Sequence, residues 1–450
     1  MLSSSGGLET PSRLALVELP LFLYYVCHTN VLLTQFYLHD KYMRSYTGNG
    51  SSVNVTKDIV DAIQADTTMT FTYILITLLC PAIFVNLLVG PLSDQLGRKP
   101  FLIMVNVASF VKVNIDIIVM HFDLHVGYLF IGNMIYGLGG SYALMLTCGI
   151  AMVADVTPIG PQRSFRITTS CAAIAVGVSL GISITGVLID SFGFVFPAVL
   201  YAVASFTNVL FVWCVLPETV PGGSLRSLCL SDIIENIQRG IDVYGRSIPS
   251  LRRISLLLSL LAGVLILSIV KVEMTLSSLF LLAPPFNWTS THVALYYGVK
   301  TVISWAIILV STKCLLRYCS DLTLAIFGCL SLSLDVLLIG IADTDSVMYI
   351  AACVGLYGDQ GISMVRTFMS KCVPLQEQGA LFSTLNVCQL ICYLFVTLAI
   401  NLTYRGTLDV RPGVAYFVMT AVVAVVVGIL GYINIRNKGF NWSLVHYSPH

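Results

Sequence analysis

The chain has 450 residues, 56% of them hydrophobic and only 10% charged, and its mean hydropathy is +0.86. Soluble domains carry about a quarter charged residues, so the composition predicts an all-α polytopic membrane protein with the lipid bilayer as its partner. The formal net charge of +1 gives no reason to expect nucleic acid as a partner.

Twelve apolar stretches reach the length of about 20 residues that a transmembrane helix needs. They lie near residues 14–36, 68–90, 100–120, 127–150, 167–189, 194–215, 254–282, 293–312, 322–341, 347–368, 380–400 and 413–434. With the amino terminus inside, sixteen lysines and arginines face the cytoplasm, five face outside and three lie within spans. This bias predicts that both termini are cytoplasmic.

The first outer loop, residues 37–67, carries two Asn-X-Ser/Thr sequons, so we expect glycans on Asn49 and Asn54. All 13 cysteines fall in spans or on the cytoplasmic side, which makes an exofacial disulfide unexpected. No cysteine pair has the spacing and histidines of a zinc site, and we expect no metal and no cofactor.

In span 1, His28 is the only histidine within a predicted span. It is a candidate for handling substrate or protons, and the alternative is a hydrogen-bonded core histidine.

A charged turn, residues 90–100, separates spans 2 and 3. Its pattern G-x-L-x-D-x-x-G-R-K resembles the loop between the second and third helices of the major facilitator superfamily. The matching residues are Gly90, Leu92, Asp94, Gly97, Arg98 and Lys99. The resemblance implies the major facilitator fold, in which two six-helix bundles rock around a central cavity lined by spans 1, 4, 7 and 10. It also implies a cytoplasmic latch, in which Asp94 meets the start of span 11 and Arg98 reaches Asp155.

The domain organisation follows from the longest inside connection. We expect a first bundle over residues 1–215, a cytoplasmic linker over 216–252 with an amphipathic stretch at 230–243, and a second bundle over 253–450. The glycine run 137–141 in span 4 is echoed by 355–359 in span 10, which is typical of two related halves.

Charged residues inside spans are costly, so each needs a partner or a role. Lys112 and Asp116 in span 3 are four residues apart and are predicted to form a structural pair. In span 7, Lys271 and Glu273 are two apart and cannot face each other on a helix. Lys271 is a natural counter-charge for an anionic substrate, and the alternative is that it extends to the outer interface.

Span 10 carries Asp359 and Arg366, seven residues apart, two turns along one face. Removing a carboxyl from water favours its protonated form, so Asp359 is the preferred candidate for proton coupling, ahead of Glu273. The alternative for Asp359 is a structural, hydrogen-bonded aspartate. Arg366 is a candidate for substrate binding or an interface marker. Lys300 and Asp335 are a possible pair across spans 8 and 9, which the sequence leaves open.

Three further segments narrow the resemblance. These segments, 125–128, 153–166 and 370–383, are similar to those of the proton-coupled folate transporter and thymic stromal cotransporter family of solute carriers. The resemblance implies a carrier of organic anions such as folates, often proton-driven, with relatives tied to muropeptides and cyclic dinucleotides. It also implies a plasma membrane location, with an endolysosomal membrane as the alternative.

The chain departs from the folate transporter pattern at four positions. It has Asn133, Ser141, Cys171 and Val270 where that pattern has an arginine, an acidic residue, a glutamate and a histidine. It also lacks the cysteines that join two outer loops there, and it retains only Arg366. These departures put folate itself and the usual proton route in doubt.

The sequence thus predicts a secondary active carrier of small organic anions, coupled to protons, acting as a monomer. His28, Lys271 and Arg366 are the predicted substrate contacts. One alternative is an uncoupled facilitative carrier of a neutral or amphipathic solute, and another is a non-transporting receptor with the same fold. No nucleotide-binding loop, HExxH or Gly-x-Ser-x-Gly motif is present, so we expect no enzymatic activity.

Overall fold

The computed structural model describes residues 11–47, 57–156, 161–219, 250–315, 318–372, 378–408, 411 and 413–436. The regular structure in these residues is entirely helical, as predicted. The described helices are α1 (Pro11–His28), α2 (Asn30–Thr47), α3 (Lys57–Leu96), α4 (Lys99–His121), α5 (Gly127–Leu138), α6 (Ser141–Asp155), α7 (Pro161–Phe192), α8 (Val195–Cys214), α9 (Ser250–Leu282), α10 (Ser290–Leu315), α11 (Asp321–Ile341), α12 (Asp345–Gly355), α13 (Gln360–Lys371), α14 (Gln378–Thr407) and α15 (Val414–Arg436).

Ten helical stretches in the described residues are long and apolar enough to cross a membrane, counting α5 and α6 as one. The helix pairs α1–α2 and α12–α13 occupy the places predicted for spans 1 and 10. Side chains on the outside of the bundle are apolar, and Phe84, Val310, Phe395 and Val425 each expose 60–69% of their surface. Such a surface suits hydrocarbon rather than water, and the prediction of a multi-pass membrane protein is confirmed.

Three of the predicted spans are broken near their middle. The first breaks at Thr29 between α1 and α2, the fourth at Gly139 and Gly140 between α5 and α6, and the tenth at residues 356–359 between α12 and α13. Gly140 has φ +87°, in the left-handed region that favours glycine. Both glycine runs that suggested an internal repeat therefore lie at a helix break, at equivalent places of the two halves.

Helix packing follows the order expected for two bundles. In the first half, α1 packs against α7 and α4 against α8; in the second half, α11 packs against α15 and α9 against α14. The most extensive contacts between the halves join α7 to α10 and α3 to α14. Residues 220–249 of the predicted linker lie outside the described residues, so the boundaries at 215 and 253 stay predictions.

The halves are hydrogen-bonded to each other at the ends that are predicted to be extracellular. Gln35 of α2 donates to the Thr275 carbonyl at 2.6 Å, and Asn401 of α14 donates to Thr72 of α3 at 2.6 Å. At the same end, the Thr291 amide of α10 donates to Asp190 of α7 at 3.0 Å. The described structure is therefore closed at this end.

Candidate functional site

The predicted substrate residues His28 and Lys271 both lie next to one aromatic ring, that of Tyr142. Lys271 of α9 places its Nζ atom 3.9 Å from the ring centre of Tyr142 and 5.8 Å from that of Tyr393. The His28 ring at the end of α1 lies 5.0 Å from the Tyr142 ring. Since α1 and α6 belong to the first half and α9 to the second, Tyr142 and Lys271 form a contact between the halves near the centre of the molecule.

Arg366 of α13 approaches the same region from another direction. Its Nη2 atom donates to Gln389 of α14 at 3.4 Å, and its charge acts on Lys271 and on Tyr25 and Cys171 of the first half. Among the described residues, no carboxylate forms an ion pair with Lys271 or Arg366. The site therefore holds two cations, which favours binding of an anion.

Tyrosines that the sequence analysis did not single out complete the site. Tyr136 lies 3.2 Å from Nδ1 of His28 and 2.5 Å from the Tyr24 hydroxyl, and Tyr25 donates to the Tyr142 carbonyl at 3.3 Å. One signal was available, because Tyr24 and Tyr25 lie four and three residues before His28 and share its helix face. Tyr136, Tyr142 and Tyr393 come from separate helices, and only the fold brings them together.

Span 3 holds a separate pair in the first half. Lys112 and Asp116 are 2.6 Å apart and almost fully buried, and Asn30 of α2 donates to the same carboxylate at 2.7 Å. The predicted structural pair is confirmed. A cavity of about 10 Å³, enough for about one water, is lined by Lys112 of this pair, by Asn30 and by His28.

A second charged group gathers in the other half. Lys300 of α10 and Asp335 of α11 form a 2.5 Å ion pair, which answers the question that the sequence left open. Glu273 of α9 is buried and accepts a 3.4 Å hydrogen bond from Tyr297. Asp359, in the break before α13, lies within electrostatic range of Lys300 and Asp335. Glu273 and Asp359, the predicted proton carriers, therefore lie in one cluster, apart from Lys271.

The neighbours of span 7 explain this separation. Lys271 faces Tyr142 and Tyr393, whereas Glu273 faces Tyr297 and Ser277. The prediction that two residues so close in sequence point to different places is confirmed. Asp359 and Arg366 likewise belong to different groups, although their spacing predicted one shared face. Asp359 is the residue before α13 and already has helical φ −66° and ψ −16°. Seven residues of helix place it about 10 Å along the axis from Arg366, so the two side chains meet different neighbours.

The charged turn between spans 2 and 3 is shorter than predicted. Helix α3 continues through Gly90 and Asp94 to Leu96, and α4 begins at Lys99, which leaves Gly97 and Arg98 to make the turn. The 40 residues of α3 extend about 60 Å at 1.5 Å per residue. Because this exceeds the bilayer core of about 30 Å, the charged residues lie on a helix end beyond the hydrocarbon.

The turn makes one of its two predicted contacts. Arg98 pairs with Asp155 of α6 at 3.4 Å and donates to Ser93 at 2.6 Å. The side chain of Asp94 lies outside the described residues, so its contact with span 11 stays a prediction. Arg98 and Asp155 both belong to the first half, so their pair fastens the turn to α6 and does not itself join the halves. The glycosylation candidates Asn49 and Asn54 also lie outside the described residues.

Glu218, after α8, is a member of the turn that the sequence analysis missed. Its two carboxylate oxygens accept the backbone amides of Arg98 and Lys99 at 2.9 Å each. These are exposed donors at the amino terminus of α4, where an anion is stabilised by the helix dipole. Gly97 has φ +97°, and an added Cβ there would collide with the Glu218 carboxylate.

The fold and the site together define a class: a multi-span helical membrane protein of two packed halves with a charged, aromatic interior between them. Residues 42–397 match the sequence model of the Major Facilitator Superfamily, and the chain belongs to that family. Its helical, multi-span architecture is the one predicted from the sequence.

Comparison with curated proteins points to one branch of the superfamily. The proton-coupled folate transporter of Rattus norvegicus is 24% identical over 92% of this chain and 89% of its own length. A lysosomal proton-coupled steroid conjugate and bile acid symporter of Gallus gallus is 22% identical over 82% and 80%. A probable peptidoglycan muropeptide transporter of Drosophila melanogaster is 24% identical over 89% and 79%. These relatives confirm the resemblance to the folate transporter family of solute carriers. They are transporters and not enzymes.

Solved structures agree on the fold. The human organic anion transporter MFSD10 superposes with a TM-score of 0.67 at 16% identity, covering 94% of this chain and all of that one. A D-xylose-proton symporter gives 0.67 at 12% identity, covering 93% and 96%. At these identities the likeness concerns the architecture alone.

Proposed function

We propose that this protein is a proton-coupled carrier of small organic anions that works by alternating access. The observation that carries the proposal is the pair Lys271 and Arg366, two interior cations for which the described residues supply no carboxylate partner. An anion bound between them lies beside Tyr142 of the other half. Binding there therefore changes the contact between the halves, as a carrier requires.

Coupling to protons is assigned to the buried carboxyls of the second half. Glu273 and Asp359 lie away from the substrate cations and near a single lysine, Lys300. Protonation of either carboxyl removes a buried negative charge, which lowers the free energy cost of reorienting the halves. His28, which contacts Tyr136 and lies near Tyr142, is placed at the substrate end.

The substrates of the relatives define what to test. Uptake of labelled folates, muropeptides, cyclic dinucleotides and steroid conjugates into cells is measured at mildly acidic and at neutral external pH. We expect saturable uptake of at least one of these anions, stimulated by acid. Uptake that does not change with pH supports the uncoupled alternative. The presence of Ser141 and Cys171, where the folate transporter pattern has acidic residues, favours that alternative. Absence of any flux across a broad anion panel overturns the proposal in favour of a receptor.

Two variants separate coupling from binding once a substrate is known. Asp359→Asn imitates the protonated carboxyl, so it should preserve substrate exchange but abolish accumulation against a gradient. Arg366→Ala should weaken substrate binding at every pH. The matched controls are Asp343→Asn and Arg405→Ala. Both side chains are exposed, Asp343 in the connection after α11 and Arg405 in the last turn of α14. Equal proton-driven accumulation by the wild type and Asp359→Asn would remove Asp359 from this role.

We place the carrier in the plasma membrane, with both termini cytoplasmic, and expect a monomer. An endolysosomal location is the alternative, and it is supported by the similarity to the lysosomal steroid conjugate symporter. Fluorescent tagging of the carboxyl terminus together with surface biotinylation distinguishes the two compartments.

A further inference from the structure

Each half of the protein buries a lysine–aspartate pair, within helix α4 in the first half and between helices α10 and α11 in the second, and the two pairs have different surroundings. In the first half, Lys112 and Asp116 are joined by the neutral amide of Asn30. In the second half, Lys300 and Asp335 lie within electrostatic range of two more carboxyls, Glu273 and Asp359. In both pairs one oxygen of the aspartate is buried and accepts no hydrogen bond from the described residues.

The second cluster therefore carries an excess of acid. Three carboxyls interact electrostatically with one ammonium group, and Glu273 and Asp335 expose only 5% and 2% of their surface. Full ionisation would leave two uncompensated negative charges in the protein interior, and buried charge of this kind is avoided by proton uptake. Groups that interact electrostatically in this way titrate together rather than singly.

Other neighbours supply no second cation to the cluster. Helix α10 contributes the hydroxyls of Tyr296 and Tyr297, and α15 contributes Tyr416. Asp190, on the helix α7 that packs against α10, is engaged at the far end by the Thr291 amide. Lys271 acts on Arg366 and faces the tyrosines of the substrate site. Lys300 is thus the cation on which the acidic cluster depends within the described residues.

We propose that Glu273 and Asp359 share one exchangeable proton, and that the Lys300–Asp335 pair positions and regulates it. Asp335 holds Lys300 at 2.5 Å while the proton is bound. When the proton leaves, two carboxylates compete with Asp335 for the same ammonium group. This assignment rests on the proposed proton coupling and extends it to two residues outside the predicted site.

The position of Asp335 links the protonation state of the cluster to the proposed substrate site. A side chain at Gly355 would collide with the Asp335 carboxylate, so Asp335 lies directly against the end of α12. This is the break that precedes α13, the helix that carries Arg366. Movement of Lys300 away from Asp335 would therefore act on the break, and through α13 on the substrate-binding arginine.

The test measures the proton itself and needs no known substrate. The full-length protein is reconstituted in liposomes, and the infrared band of protonated carboxyl groups is recorded as a function of pH. The band that belongs to the cluster is identified by its loss in the double variant Glu273→Gln/Asp359→Asn. The quantity compared between variants is the pH at the midpoint of this band.

Two variants should move this midpoint in opposite directions. In Asp335→Asn, Lys300 is free to neutralise the other carboxylates, so the midpoint should fall by about one pH unit or more. Adding Lys300→Met removes that cation, and the midpoint should return upward by a similar amount. General damage to the fold does not produce opposite shifts. Asp116→Asn is the matched control, because the described residues place the amide of Asn30 and no further carboxyl against the pair of the first half. It should leave the midpoint unchanged.

The outcomes separate this inference from the proposed function. A midpoint that stays the same in Asp335→Asn and in Asp335→Asn/Lys300→Met overturns the inference, even if the wild type accumulates substrate with protons. A band that shifts as expected in a protein without proton-driven transport supports the shared site and overturns the proposed coupling. Should Asp335→Asn fail to fold, the exchanged pair Lys300→Asp/Asp335→Lys should titrate as the wild type, and a displaced midpoint there counts against the inference.

Discussion

The lysine of the proposed substrate site contacts aromatic rings, and the described residues supply no carboxylate to pair with it. Lys271 lies 3.9 Å from the centre of the Tyr142 ring and keeps its charge available to a ligand. A cation–π contact stabilises the ammonium group by about 0.5–2 kcal/mol. Unlike a carboxylate, the ring does not neutralise the charge. The Lys271 side chain is therefore held in place by the ring while its charge remains available to an anion.

This arrangement predicts a graded response at position 142. Tyr142→Phe keeps the ring and should change the Kd for substrate little, whereas Tyr142→Leu removes the ring and should weaken binding about three- to tenfold. Lys271→Met should weaken binding further, because it removes the charge. Binding is measured by scintillation proximity with purified protein, and Lys41→Met on the outer surface is the control. Equal affinity for the Phe and Leu variants would contradict the role of the ring.

Asp123 shows which pH dependence does not belong to transport. A hydrogen bond from Lys41 lowers the pKa of this carboxyl in the turn after α4, opposed by partial desolvation. Because the pKa in the folded protein lies below that of the unfolded chain, the pair stabilises the fold above the unfolded value and stops doing so as the pH falls through the folded one. The carboxylate is 55% exposed, so solvent screening keeps the contribution below about 1 kcal/mol.

The consequence is measurable as a difference in thermal unfolding. Asp123→Asn should be slightly less stable than wild type at neutral pH. The difference should begin to shrink below a pH of about 4 and vanish only below the lower pKa of the folded protein. Transport by the variant should follow the wild-type pH profile between about pH 5 and 7, since Asp123 stays ionised throughout. A changed transport profile in that range would assign a functional proton to this outer turn.

At the scale of helices, the order and type of elements were predictable and their interruptions were not. Apolar stretches of about 20 residues fix where spans lie, because every backbone group in hydrocarbon must be bonded within the helix. The breaks at Thr29 and at residues 356–359 depend on neighbours, since Thr29 bonds both Val26 and Tyr201. The length of the turn predicted at 90–100 was too great for a different reason. Charged residues mark the membrane surface, but a helix can continue past that surface, as α3 does to Leu96.

The start of α4 offers a test at this scale. Glu218 accepts two amides of the turn, so Glu218→Ala should destabilise the first turn of α4 by about 1 kcal/mol. Hydrogen exchange of the Arg98 and Lys99 region should speed up several-fold, while Glu218→Gln should have an intermediate effect. The exchange of α11, a helix of the other half, serves as the internal control. Unchanged protection of α4 in the alanine variant would contradict the capping role.

At the scale of the whole molecule, hydrogen bonds join the two halves at the end predicted to be extracellular. Gln35 accounts for two of them, since it donates to the Thr275 carbonyl at 2.6 Å and accepts from Ser278 at 3.1 Å. Tyr404 adds a bond to Gln64 at 3.0 Å. Composition and spacing predicted the two halves, but these polar residues gave no sequence signal, because a glutamine near a helix end has no expected partner until the halves are packed.

An alternating carrier must break these bonds to open outward, so weakening them should change its population of states. Gln35→Ala removes two bonds across the interface, each contributing about 1 kcal/mol net. If both are absent in the outward-open form, the equilibrium should move toward that form about thirtyfold. Asn114→Ala is the matched control, because the Asn114 amide bonds only the Phe110 carbonyl of its own helix.

The shift is measured as a distance between the halves. Spin labels replace the exposed residues Tyr46 on α2 and Arg405 on α14, in a background without reactive cysteines, and pulsed electron resonance gives the distance distribution. A longer distance should gain population in Gln35→Ala and not in Asn114→Ala, and substrate should alter the two populations in both proteins. Distributions that coincide for Gln35→Ala and wild type would mean that the outer closure does not depend on these bonds. The contacts of α3 with α14 and of α7 with α10 would then carry it.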